Sequence, residues 1–176
     1  MGDPVARKKI TQLTAHAAPA LTDILPIVDL SGTATTKKST ITQVLSPLVS
    51  ASYAVTWTAV SVNPAIGDGT LVGLFLQVGK VVDFSITMIV GSTTTFGTGA
   101  WIFTLPVVSL AMTVSRPVFQ AYAQTAGGVP FMGLARASNT TTFRVVAEGS
   151  VYFDFDSPFV WASGDFFNVF GRYWAA

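Results

Sequence analysis

The chain has 176 residues; half are hydrophobic, only 11% are charged, and the formal net charge is +1. Soluble domains ordinarily carry about a quarter charged residues, so this chain lacks the charge to hydrate the whole surface of an isolated globule and points to burial in a membrane or between subunits. The near-neutral balance argues against a nucleic-acid-binding surface, and the absence of cysteine excludes disulfides and thiolate zinc sites.

Pattern speaks against the membrane. Ser39 to Gly67 and Phe84 to Ser115 hold no charge, but Thr, Ser, Gly or Pro interrupts both every few residues, and no run of about 18 apolar residues occurs. The same interruptions come too often for the alternating strands of about ten residues in an outer-membrane barrel. The opening Met1-Gly-Asp-Pro-Val-Ala-Arg-Lys-Lys leads into no apolar signal segment. Ala6 stands where an N-myristoylation signal needs Ser or Thr.

The first element in chain order is an arm, residues 1–50. It carries Arg7-Lys8-Lys9 and Lys37-Lys38, half of the basic residues. Its apolar residues, among them Ile10, Leu13, Ile24, Leu25, Ile27 and Val28, form small clusters separated by Pro19, Pro26 and Gly32, and the prolines forbid one long helix. Thr40-Ile-Thr-Gln43 is a capping box, in which the Thr40 hydroxyl accepts from a free helical N–H and Gln43 reaches back. It predicts one short helix near 41–48, ended by Pro47. A segment this apolar and this short has no core of its own. It is expected to dock on a partner protein, the alternative being a disordered basic tail.

From residue 53 to 176 the pattern is β throughout. Strands are expected at 53–62, 71–78, 80–90, 100–105, 116–125, 130–137, 141–148, 150–155 and 166–174, all rich in residues that suit a pleated surface. Val82, Phe84, Ile86 and Met88 share one face of their strand, as do Trp101, Phe103 and Leu105 of theirs. Turn signals separate the strands, including Asn63-Pro64, Gly67-Asp-Gly69, Gly97-Thr-Gly99, Ser138-Asn139 and Gly164-Asp165. The expected fold is all-β: a single antiparallel β-sandwich of jelly-roll type, preceded by the extended arm with its one short helix.

Several of these segments carry a resemblance. The stretch Tyr53 to Gly79, with Trp57, Asn63-Pro64, Gly67-Asp-Gly69 and Gln77-Val-Gly-Lys80, resembles the C-terminal β domains of bacteriophage fibre and minor tail proteins. So do the run Gly97-Thr-Gly-Ala-Trp-Ile-Phe-Thr-Leu-Pro106 and the closing Pro158-Phe-Val-Trp-Ala-Ser-Gly-Asp165. Such domains are similar to the trimeric jelly rolls of the tumour-necrosis-factor type. In the arm, Ile10-Thr-Gln-Leu13, Asp23-Ile-Leu-Pro-Ile-Val28, Thr36-Lys-Lys38 and Thr40-Ile-Thr-Gln-Val-Leu45 resemble the virion-attachment segment of phage fibre proteins. No heptads, collagen-like triplets or triple-β repeats form a stalk, which departs from long fibres and favours a short spike or head decoration.

The resemblance implies a homotrimeric structural protein on the exterior surface of a virion. Its arm would attach to the major capsid protein or another virion protein through Ile10, Leu13, Ile24, Leu25, Ile27, Val28, Lys37 and Lys38. Alternatives are a tail receptor-binding protein contacting host surface glycans, with Tyr122, Asn139 or aromatics near Phe131 as stacking candidates, and a cellular sugar-binding β-sandwich. The residues themselves add a hint of assembly: Phe166, Phe170, Tyr173 and Trp174 crowd the C-terminus, and aromatics are enriched at subunit interfaces. They are expected at the trimer interface, the alternative being a strand buried on both sides within a monomer.

Catalytic patterns are not found. The single histidine, His16, lies in the arm, and a Ser-His-Asp triad would require the arm to fold into the β domain beside a serine. Gly67-Asp-Gly-Thr-Leu-Val-Gly73 lacks the Gly-Lys-Ser/Thr end of a phosphate loop and reads as a hairpin-type turn. Asp154 and Asp156, two apart on a predicted strand, would share a face and could hold a hard cation, though solvated edge charges are the commoner use. Arg116, Arg136, Arg144 and Arg172 are candidates for subunit salt bridges. No catalytic residue, cofactor site or metal site is expected.

Overall fold

A computed structural model of the protein describes residues 24–29, 35–40, 50–147, 149 and 151–176. The chain divides into two compact units, Met1–Ser46 and Pro47–Ala176. In the first, β1 (Ile24–Asp29) and β2 (Thr35–Thr40) form an antiparallel hairpin that pairs Ile24 with Thr40, Pro26 with Lys38 and Ile27 with Lys37. Six of the eight expected attachment residues are thus brought into one hairpin; Ile10, Leu13 and the helix near 41–48 lie outside the described residues.

The second unit is one antiparallel sheet of nine strands. In chain order they are β3 (Ala51–Tyr53), β4 (Trp57–Ala59), β5 (Thr70–Val78), β6 (Val81–Ile89), β7 (Trp101–Thr104), β8 (Val118–Gln124), β9 (Pro130–Ala137), β10 (Thr142–Ala147) and β11 (Phe166–Trp174). Their spatial order is β3-β5-β6-β11-β8-β9-β10-β7-β4. Within it, β11-β8-β9-β10 is a Greek key: a three-strand meander with the fourth strand returning beside the first. The sheet is curled, because β3 and β4 are consecutive in the chain but stand at its opposite ends. One bond spans the two ends of the sheet: the Tyr53 hydroxyl of β3 donates to the Thr104 carbonyl of β7 at 3.3 Å, while the Thr104 N–H, donating to the Thr56 carbonyl at 3.2 Å, extends the β4–β7 pairing. The antiparallel β class is therefore as expected, in the form of one curled sheet.

Curling gives the sheet an inner face, and strand alternation fills it. Val82, Phe84, Ile86 and Met88 of β6 point inward, as do Trp101 and Phe103 of β7 and Phe167, Val169 and Tyr173 of β11. Rings from opposite parts of the sheet pack together: Phe103 stacks on Phe167 at 5.3 Å, and Phe84 lies 5.9 Å from Phe143 of β10. Small residues make room for them. Ala121, Ala123, Ala135 and Ala137 line the inner side of β8 and β9. A Cβ on Gly171 would come within 2.7 Å of the Phe119 ring. Each large apolar side chain buried here contributes about 1.5–3 kcal/mol.

Two expected strands differ. The segment 53–62 does not run as one strand: Ala54–Thr56 carry it from one sheet edge to the other, which a hydrophobic pattern continuous across the break does not reveal. The segment 150–155 makes only an isolated bridge, Val146 with Tyr152. It instead begins a long loop that lays Phe153, Phe159 and Trp161 over the core, with Phe153 and Phe167 rings 5.7 Å apart. Alternation of aromatics is equally compatible with a strand and with such a plug.

Gly67-Asp-Gly69 is a turn as expected, but it leads into β5 rather than joining two hairpin strands. Its carboxylate fastens the loop that follows β6. Asp68 accepts from the Thr93 N–H and Thr93 hydroxyl, both at 2.8 Å, and from the Ser92 hydroxyl at 2.7 Å. These bonds, the Thr93 amide foremost, hold the Asp68 carboxyl down to about 2 from its ordinary 3.8. A group whose acidity rises on folding stabilises the fold above its unfolded pKa and stops doing so as pH falls through its folded one. Asp68→Ala should therefore be less stable than the parent near neutral pH, with the gap closing as pH falls from about 4 to about 2. Urea midpoints measured at a series of acid pH values check this; a gap independent of pH would refute it.

Candidate functional site

The outer face of the curled sheet is where this chain departs from an ordinary soluble domain. In register across five strands lie Leu74, Ser85, Phe170, Gln120 and Leu134; the next row is Val72, Thr87, Asn168, Tyr122 and Met132. Of these, Val72, Leu74, Phe170, Met132 and Leu134 are exposed, and Trp174 at the end of β11 is 56% exposed. The exposed apolar residues alternate with Ser85, Thr87, Asn168 and Gln120 across the strands, and an outer face this rich in large apolar side chains is a candidate interaction surface.

Of the four residues expected at an interface, three lie on this face: Phe170 and Trp174 are exposed, and half-buried Phe166 has its ring 6.2 Å from that of Tyr122. Tyr173 does not. It belongs to the inward set with Phe167 and Val169, because period-2 alternation puts it opposite Trp174. Its hydroxyl donates to the Val107 carbonyl at 2.7 Å and accepts from the Val107 N–H at 3.0 Å, and burial pushes the phenol up to about 12.

The glycan-stacking candidates do not converge. Tyr122 stands on the outer face of β8. Phe131 packs against Phe159 at 4.7 Å beside the core. Asn139 is committed to its own turn, where Oδ1 accepts from the Thr141 and Thr142 N–H groups at 2.8 and 2.9 Å. Asp154 and Asp156 are not on a strand. A side-chain hydrogen bond between the two raises the Asp156 carboxyl above its ordinary value. Among the described residues no group of three or more His, Asp or Glu side chains gathers as a metal set. His16 lies outside them.

The arginines separate into two roles. Arg172 forms a bidentate pair with Asp83, 2.7 and 3.0 Å, on the outer face. Both partners are well exposed, so water screens the pair and it adds little to stability. Arg116, Arg136 and Arg144 instead line one pocket of about 370 Å³ beside Tyr152. That pocket opens into an apolar groove of about 780 Å³ on the outer side of β8, β9 and β10, lined by Val118, Met132, Leu134 and Val146. Sequence reasoning missed both. The available signal was the two-residue alternation that puts Met132, Leu134 and Arg136 on one face of β9, but the opposing strand was not assigned.

No protein-family model, curated protein or solved structure matches this chain.

Proposed function

We propose that the chain is a structural protein of the exterior of a bacteriophage particle, not an enzyme. In this reading a homotrimeric β knob of jelly-roll type is held to the major capsid protein, or to another virion protein, by its N-terminal arm as a head decoration or short spike. The observation that carries assembly is the set of exposed apolar side chains on β5 and β11, Val72, Leu74, Phe170 and Trp174. Covering it removes water from apolar area at about 25 cal/mol per Å². The virion assignment is supported by the resemblance of the arm and of the glycine-tryptophan-proline segments to phage fibre proteins. Threefold linkage would multiply the effective concentration of three small arms at the particle surface.

The full-length chain should therefore run in solution with the mass of a trimer of 18.6 kDa subunits. Phe170→Asp combined with Trp174→Asp should yield folded monomer, read by light scattering and circular dichroism. Removing residues 1–46 should leave the trimer but abolish binding to particles. A monomeric parent chain would refute the assembly, and truncated protein that still decorates particles would refute the arm. The groove favours a second reading, a tail receptor-binding knob that contacts host glycans. Tens to hundreds of copies per virion would indicate decoration, and a few trimers the tail.

A further inference from the structure

Arg136 of β9 and Arg144 of β10 are direct cross-strand partners. Side chains so placed stand about 5 Å apart at their Cβ atoms, and like charges in that position repel. Arg116 lines the same pocket, so three guanidinium groups meet in one cavity. Among its described lining residues there is no carboxylate. Among the described residues, the contacts these arginines make are weak. Arg136 donates to the Tyr152 hydroxyl at 3.3 Å, Arg116 Nε donates to the Met112 carbonyl at 3.4 Å, and the Arg144 guanidinium carbon sits 5.7 Å from the Tyr152 ring centre. Arg144 Nε is buried with no hydrogen-bond partner among the described residues, which is costly for a charged donor unless something accepts from it. A planar guanidinium fork matches the oxygens of a phosphate or carboxylate.

The neighbouring groove sets the rest of the ligand. It shares Arg136 and Tyr152 with the basic pocket and continues from them along Met132, Leu134, Val118 and Val146, all apolar. A charged end beside an apolar channel selects an amphipathic anion. We propose that Arg116, Arg136 and Arg144 form a binding site for a compact anionic group, phosphate or carboxylate, whose apolar body lies in the groove on β8–β10. This site is distinct from the exposed apolar side chains on β5 and β11, so it stands or falls separately from the trimer.

Calorimetric titration of the full-length chain with hexyl phosphate, hexanoate, inorganic phosphate and 1-hexanol tests it. At least one of the two amphiphiles should bind saturably, about tenfold or more tighter than inorganic phosphate or hexanol alone. Which of the two binds more tightly distinguishes phosphate from carboxylate. Arg136→Gln and Arg144→Gln should each weaken binding about tenfold through loss of charge-assisted bonds. Arg116→Gln, at an exposed position, gives the same reading without risk to the fold. Leu134→Ser should weaken the amphiphile while leaving inorganic phosphate unchanged. Absence of saturable binding by either amphiphile would overturn the proposal. So would affinities indifferent to all three arginine substitutions.

Discussion

Trp101→Ala is expected to destabilise the β unit by about 3–5 kcal/mol, a large share of the roughly 5–15 kcal/mol that holds a domain of this kind folded. Trp101 is fully buried at the centre of an aromatic cluster. Its ring lies 4.9 Å from Trp57, 5.0 Å from Trp161 and 6.5 Å from Phe103, with Phe96 at 6.2 Å. Its Nε1–H donates to the Phe96 carbonyl at 3.0 Å, and its backbone N–H donates to the Phe153 carbonyl at 2.9 Å. The indole therefore joins β4, β7 and the long loop before β11.

Trp57 supplies the internal contrast. Its ring lies parallel to that of Phe103 at 6.2 Å, but its Nε1–H is buried with no acceptor among the described residues. Trp57→Phe trades lost ring volume for removal of an unpaired donor, whereas Trp101→Phe loses ring volume and orphans the Phe96 carbonyl. Trp101→Phe should thus cost more by about 1–2 kcal/mol. Urea denaturation followed by far-ultraviolet circular dichroism reads both, provided the m-value is unchanged. Equal costs for the two tryptophans would contradict this account of the cluster.

How much of this was legible in the sequence depends on the kind of contact. Inward faces were legible, because alternation fixes them within a strand: Val82, Phe84, Ile86 and Met88 needed no partner to be assigned. Turns were legible through Gly and Asn-Pro chemistry; Gly97 has φ +64 and its missing Cβ would strike the Val62 carbonyl. Which strands become neighbours was not legible. The crossing at Ala54–Thr56 follows from the pairing of β3 with β5 and of β4 with β7, at opposite ends of the sheet, and no local pattern encodes that. Tyr173 was grouped with Phe166, Phe170 and Trp174 by composition, although its own alternation with Val169 set it inside. The basic pocket was hidden for the same reason as the crossing. Arg136 and Arg144 are ordinary outward residues on their own strands, and only the β9–β10 register sets their charges opposite each other.

Asp165 is the residue whose role sequence reasoning placed furthest from its position, and its removal carries the other large expected effect. As part of Gly164-Asp165 it has the look of a solvated turn, yet it is only 2% exposed. Oδ1 accepts from the Ala126 N–H at 2.7 Å and Oδ2 from the Ala162 N–H at 2.6 Å. Its own carbonyl accepts from Val90 N–H at 2.9 Å. One side chain thus ties the β8–β9 turn to the loop that delivers Phe159 and Trp161 to the core, while its backbone ties that loop to the end of β6. Two charge-assisted hydrogen bonds at about 1.5–3 kcal/mol each put the cost of Asp165→Ala at about 3–5 kcal/mol, towards the lower end because water can reach the freed amides of exposed Ala126 and Ala162. Asp165→Asn retains one acceptor but turns an NH₂ group toward an N–H, so it should recover less than half of the loss. Amide hydrogen exchange supplies the test that separates this role from simple packing: Ala126 and Ala162 should lose protection before the strand amides of β6 and β11 do. Unchanged protection at both positions in Asp165→Ala would show that the loop is held by Trp161 and Phe159 alone, and that the buried carboxylate is not what closes this end of the sheet.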